Sequence, residues 1–181
     1  MSDPPTWYAE LSRRRAAGEL VADDLVPGAG TVLIEGTPDP SRLASVLPSW
    51  RPSPLPVADS GLVEIDVVFD GPDLAFVASH WDCSVEAAFL RLRDTELSVA
   101  FCGFSPGFAY LTGLPGEVPR LETPRARVPA GSVALGGPYA GVYPTASPGG
   151  WRLVGRTEAV LFEVDRDPPA LLTPGTRVRF R

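Results

Sequence analysis

From residue 62 to 66 apolar and acidic side chains alternate ("LVEID"), and from 67 to 69 the chain is wholly apolar. A half-buried strand carries that pattern, so 62–70 is predicted as a strand. Helical signals occupy the first half of the chain. Residues 4–20 hold a run of good helix formers, "YAELSRRRAAGEL". The β-branched run "TVLIE" predicts a strand at 31–35. A helix at 39–47 would start with Asp39 as its N-cap and Pro40 in its first position. Prolines 48, 52, 54 and 56 then mark an extended connection. The predicted division is therefore a short α+β segment with its linker at 1–60 and a second domain at 61–181.

In that second domain, Pro72 and Asp73 open one helical run, and Ser84 is placed as N-cap of another, "SVEAAFLRLR". The run "LSVAFCGF" (97–104) is strand-like. Beyond it helical signals nearly vanish. Short β-prone pieces, "GSVAL", "GVYP", "WRLVG", "AVLFEV" and "TRVRF", alternate with Gly/Pro turns. Many short strands joined this way predict a closed or sandwich-like β architecture. The expected fold class is mainly β with an α+β N-terminal part.

Composition narrows the chemistry. The chain has 181 residues, 44% apolar and 21% charged, which is ordinary for a soluble domain. No run approaches the ~18 apolar residues of a membrane span, and the first residues lack the apolar stretch of a secretory signal, so a cytoplasmic protein is expected. Cys83 and Cys102 have neither metal nor disulfide spacing and are predicted as reduced thiols; no metal is predicted. All sixteen cations are arginine, since the chain has no lysine, and the net charge is −6. Schiff-base chemistry, a lysine base and a P-loop lysine are thereby excluded. An acidic chain without a basic stripe is also a poor nucleic-acid binder. A lone histidine, His80, excludes histidine-rich metal sites.

Four stretches stand apart. In "GFSPGFAYLTGLP" (103–115) aromatic rings sit on a backbone rich in glycine and proline. Phe104, Phe108 and Tyr110 either line a pocket wall, with the glycines letting a ligand approach the backbone, or plug the barrel end or a domain seam. In "PRLETPRARVPAGS" (119–132), Arg120, Arg125 and Arg127 either seat an anion through their guanidinium forks or balance surface acids. Prolines beside them hold the backbone direction that a preorganised anion site needs. In "GVYPTASPGGWRLVGRT" (141–157), the turn at Ser147 to Trp151 either presents N–H groups to an anion or seats Trp151 in the core. The fourth, "FDGPDL" (69–74), holds Asp70 and Asp73 as candidate acids, with Asp73 better placed as a helix N-terminal residue. Cys102, on an apolar strand, reads as an inert thiol.

The stretches "VEIDVVFDGPDLAFVA", "VAFCGFSPGFAYLTGLP", "PRLETPRARVPAGSVAL" and "GVYPTASPGGWRLVGRT", in this order and spacing, resemble the KipI family. That family includes the 5-oxoprolinase subunit PxpB and proteins called allophanate hydrolase subunit 1. The resemblance covers about residues 61–179, and 18–47 more loosely. It implies a cyclophilin-like β-barrel of the carboxyltransferase subdomain C type, preceded by a small α+β domain that is shortened here. It also implies a hydrolase subunit acting with a PxpC/KipA-type partner and a PxpA-type subunit, in a complex that hydrolyses 5-oxo-L-proline with ATP. The pocket so implied contains Phe104, Pro106, Gly107, Phe108, Tyr110, Arg120, Arg125, Tyr143, Pro148, Gly149, Gly150 and Trp151, and its ligand is a small anion. ATP is expected in the complex and is not assigned to this chain, and no catalytic residue is assigned. Leu92, Leu121, Tyr139 and Ala140 stand where polar residues are usual in the family. The alternative they raise is a non-catalytic KipI-like regulator that inhibits a histidine kinase.

Overall fold

The computed structural model describes residues 4–52 and 61–181, so most of the proline-rich connection lies outside the described residues. The chain forms two compact units, Met1–Asp59 and Ser60–Arg181. In the first, helix α1 (Pro4–Ala16) precedes an antiparallel pair, β1 (Asp24–Pro27) and β2 (Val32–Glu35), and helix α2 (Pro40–Val46) follows. Asp39 caps α2 as expected, accepting from the Arg42 N–H at 2.9 Å. α1 stops at Ala16 and not at residue 20. Gly18 turns left-handed there (φ +73°), and the Glu19 and Leu20 N–H groups fold back on the Arg14 carbonyl. The sequence gives no sign of β1, because Asp24 and Pro27 are poor strand formers. It forms because Leu25 of β1 and Val32 of β2 are buried together with Leu11 and Leu20.

In the second unit the first elements are β3 (Leu62–Ile65), α3 (Leu74–His80), α4 (Val85–Asp94), β4 (Glu96–Cys102) and β5 (Ala109–Thr112). They are followed by β6 (Arg125–Val128), β7 (Ser132–Gly136), β8 (Tyr139–Val142), β9 (Ser147–Gly149), β10 (Arg152–Arg156) and β11 (Arg177–Phe180). Seven strands form one sheet in the order β10-β7-β8-β5-β4-β11-β3, and β6 pairs with β9 as a separate ribbon. The chain beyond β3 closes the sheet. Val68 exchanges two 2.9 Å hydrogen bonds with Arg156, and the Gly71 and Asp73 N–H groups continue along β10 to Val154 and Leu153. The two outer strands are thus bridged, and the sheet curls into a cyclophilin-like barrel. Leu97, Leu111, Leu135, Val178 and Phe180 fill its interior together with Val77, Ala88 and Leu92 from the two helices. Each of the larger ones contributes about 1.5–3 kcal/mol by leaving water.

Three expectations are corrected. The strand predicted over 62–70 ends at Ile65: the Val67 N–H still bonds to the Arg181 carbonyl just past β11, and Val68 then turns to Arg156 to make the closure. The "AVLFEV" piece pairs only at Phe162 with Ala170, since Pro168 and Pro169 opposite it cannot donate to a longer ladder. The stretch 103–115 is not one loop: a tight turn ends at Phe108, and β5 begins at Ala109.

Candidate functional site

Alternation along the strands gives the barrel two differently filled faces. Ala109, Leu111, Val133, Leu135, Ala140 and Val142 point inward. Phe108, Tyr110, Ala134, Tyr139, Tyr143, Trp151 and Leu153 gather on the opposite face with Val128 of β6. A bulge in β4 adds one more ring. Val99 faces Leu111 and Phe101 faces Tyr110, so the extra residue between them turns Phe101 outward instead of into the core. Phe101 stacks on Tyr110 with centroids 4.3 Å apart and the planes 17° from parallel.

Edge-to-face contacts join Phe101, Phe104, Phe108, Tyr110, Tyr139, Tyr143 and Trp151 into one continuous layer, the geometry that ring quadrupoles favour. Glycines admit the rings. A Cβ on Gly136 would lie 2.6 Å from the Trp151 indole, and one on Gly149 would lie 2.3 Å from the Tyr143 hydroxyl. Phe104 differs from the others in that it is 63% exposed and has φ +72°. The left-handed region costs a non-glycine residue about 1–2 kcal/mol, so the turn holds this ring outward against its own preference.

Polar groups converge on the layer. The Arg120 guanidinium lies over Trp151, 5.6 Å from the ring centroid, and among the described residues it has no carboxylate partner. Burial pushes the Tyr110 and Tyr143 phenols up from their ordinary values, while Arg120 pulls both the other way. Both phenols therefore stay protonated near neutral pH and keep an O–H to donate, while the Tyr143 oxygen accepts from the Trp151 backbone N–H. Two buried hydroxyls, Ser105 Oγ in the turn and Ser147 Oγ on β9, have no hydrogen-bond partner among the described residues.

Arg125 has a different place. Its Nη2 reaches both Asp73 oxygens, at 3.0 and 2.8 Å, and its Nη1 donates to the Trp151 carbonyl at 3.2 Å. Asp73 stands at the N-cap position of α3 without capping it. Its carboxylate instead accepts from the Leu153 N–H at 2.7 Å. Arg152 completes the group: it lies 3.6 Å above the Phe76 ring, donates to the Pro119 carbonyl and approaches Asp73 to 3.9 Å. Asp73 thus ties the β6–β9 ribbon and β10 to the start of α3.

Of the predicted site residues, Phe104, Phe108, Tyr110, Arg120, Tyr143, Gly149 and Trp151 come together at the layer. Gly150 lies beneath the Leu121–Pro124 turn, its carbonyl accepting from the Leu121 N–H at 2.7 Å. Pro148 is exposed on β9. Gly107 turns the chain (φ +83°), and Pro106 lines a separate cleft of about 510 Å³ with Ala130, Thr157 and Phe162. Leu92 and Ala140 are core residues. Sequence reasoning missed Phe101, which needed the bulge, and the Asp73–Arg125 pair, whose members are 52 positions apart. The Cys102 thiol donates to the Leu172 carbonyl, and burial pushes it up. Among the described residues no group of three or more His, Cys, Asp or Glu could hold a metal, and no helix is long and apolar enough to cross a membrane.

The family model for the carboxyltransferase domain, subdomain C and D, matches residues 6–172. The B-type subunit of 5-oxoprolinase from Escherichia coli O157:H7 is 48% identical over 192 aligned positions, covering 98% of this chain and 88% of that protein. The crystal structure of TTHA0988 superposes with a TM-score of 0.79 at 33% identity; the match covers 100% of this chain and 38% of that one, so this chain spans well under half its length. The Kluyveromyces lactis urea amidolyase, at 19% identity and a TM-score of 0.68 over 98% of this chain and 13% of that one, shares the fold alone. The family model and these likenesses place the chain in the carboxyltransferase subdomain C and D family, among the 5-oxoprolinase B-type subunits.

Proposed function

We propose that this chain is the B-type subunit of an ATP-dependent amide-hydrolysing complex of the 5-oxoprolinase kind. Arg120 carries the reading: a guanidinium without a carboxylate partner among the described residues, lying over Trp151 beside protonated phenols, in a protein of net charge −6. A 5-oxoproline ring matches that chemistry. Its carboxylate would pair with Arg120. Its flat ring would lie on the aromatic layer, and its amide oxygen would accept from a Tyr110 or Tyr143 hydroxyl. Arg125, turned on Asp73, holds the frame. The companion subunits are of the PxpC/KipA and PxpA types. ATP belongs to the complex: with no lysine, this chain has no P-loop cation for a triphosphate. The regulatory reading has less behind it, since Leu92 and Ala140 serve the core.

The test is 5-oxoproline-dependent ATP hydrolysis by the chain co-expressed with its companion subunits. Arg120→Ala is expected to raise KM for 5-oxoproline at least tenfold, about 1.4 kcal/mol of lost binding, and to leave the melting temperature unchanged. Wild-type activity in Arg120→Ala would overturn the assignment.

A further inference from the structure

The 160–164 piece, the one β-prone run that builds no strand, has an open side. Leu161 and Glu163 bond across to the 169–171 segment, through Leu171 N–H to Leu161 C=O at 2.9 Å and Glu163 N–H to Pro169 C=O at 3.0 Å. Phe162 opposite Ala170 is therefore a non-hydrogen-bonded pair, whose own N–H and C=O point away from that segment. Neither group has a partner among the described residues. On the same alternation, Val160, Phe162 and Val164 are 54%, 37% and 79% exposed, while Leu161 between them is buried. Arg166 clasps the edge in shape: it donates to the Val160 and Pro169 carbonyls, at 3.2 and 2.8 Å, and pairs with Glu163. Val160 to Phe162 also form one wall of the 510 Å³ cleft that Pro106 lines.

From this geometry we infer that the 160–164 edge is a strand-docking site for the companion subunit, which adds an extended apolar segment flanked by arginine or lysine. The inference rests on the subunit reading above. An apolar strand edge with free backbone groups and no lysine or proline is what proteins ordinarily cover. Charge selects the occupant. Glu158, Glu163, Asp165 and Asp167 flank the edge along the chain; of the cations nearby, Arg166 is held within the turn and Arg156, on the cleft, is paired with Asp70. A second copy paired through this edge would set those acids against their own copies, whereas a basic-flanked strand is attracted. The edge also touches the site turn. Gly107 lies so close that a Cβ there would be 2.8 Å from the Phe162 Cβ, so a strand seated on Phe162 bears on the turn that presents Phe104 and Phe108.

The test uses the full chain with the co-expressed companion subunit. Val164→Asp and Val160→Asp are exposed substitutions that leave the melting temperature unchanged, and each is expected to weaken the complex at least tenfold. The Phe162 amide, followed by NMR exchange, is expected to slow at least tenfold on complex formation, while the already bonded Glu163 amide changes little. Equal affinity of both variants in a complex that does form, or an unprotected Phe162 amide, overturns the docking site and leaves the subunit reading standing. Absence of any wild-type complex overturns both. Self-association of the chain, abolished by Val164→Asp, assigns the edge to a second copy and overturns the inference.

Discussion

Asp73 shows how one buried carboxylate can organise a surface. It accepts from Arg125 and from the Leu153 N–H, and it is 8% exposed. Removing one member of such a pair leaves the other uncompensated, which destabilises by about 3–5 kcal/mol when both are fully buried. Arg125 still reaches solvent, so Asp73→Ala is expected to lose roughly 2–3 kcal/mol, the lower side of that range; a shifted urea midpoint measures it. The phenols give a second prediction at this scale. Burial raises Tyr110 and Tyr143, so the folded state holds their protons more tightly than the unfolded chain does. Stability from this source is complete below about pH 10, the unfolded value, and is lost as pH rises through the folded values. Urea unfolding between pH 8 and 11 is expected to show the decline, and Tyr143→Phe to flatten it. Phe104→Gly separates structure from function: relief of about 1–2 kcal/mol of left-handed strain offsets the lost ring contacts, so the melting temperature holds while turnover of the proposed substrate by the complex falls.

Among the elements, helix α4 is the most legible. Ser84 accepts from the Ala87 N–H at 3.1 Å, as its place before "VEAAFLRLR" predicts, and Ser84→Ala is expected to lose about 1 kcal/mol, measured by chemical denaturation. Strands β5, β6 and β9 are not legible in the sequence, for a common reason. Each is short and stands among prolines and glycines, where local preference favours turns. They form because their neighbours are already in place: Leu111 pairs with Ala140 across β8, and Arg125 pairs with Gly149 across the ribbon. Gly131 is a second point of tertiary demand. It has φ +76°, and a Cβ there would lie 2.2 Å from the Thr157 carbonyl oxygen. Strain and overpacking together put Gly131→Ala at about 2–5 kcal/mol, again read from the urea midpoint.

At the scale of the whole molecule, the Ser60–Arg181 unit has its own closed barrel and core, whereas the first unit gathers Leu11, Leu20, Leu25 and Val32 around a single strand pair. A fragment of residues 61–181 is accordingly expected to unfold cooperatively by itself, with calorimetry as the check. The acidic surface and the open 160–164 edge belong to this scale as well, because neither has a meaning within one residue or one strand.

By itself the sequence determined α2 and α4 with their caps, Asp39 and Ser84, the β-rich second half, the exclusion of lysine chemistry and, through its ordered motifs, the family. These are properties of local periodicity or of residue identity, and they survive without knowledge of what lies across the fold. Tertiary structure alone decided which face the rings occupy, since a one-residue bulge in β4 turns Phe101 outward and no local preference encodes it. It also decided that Arg125 meets Asp73 while Arg120 has no carboxylate partner among the described residues. Two arginines five positions apart, each after a proline, look alike in sequence. Only the closure of the barrel brings a carboxylate to one and leaves the other facing the aromatic layer.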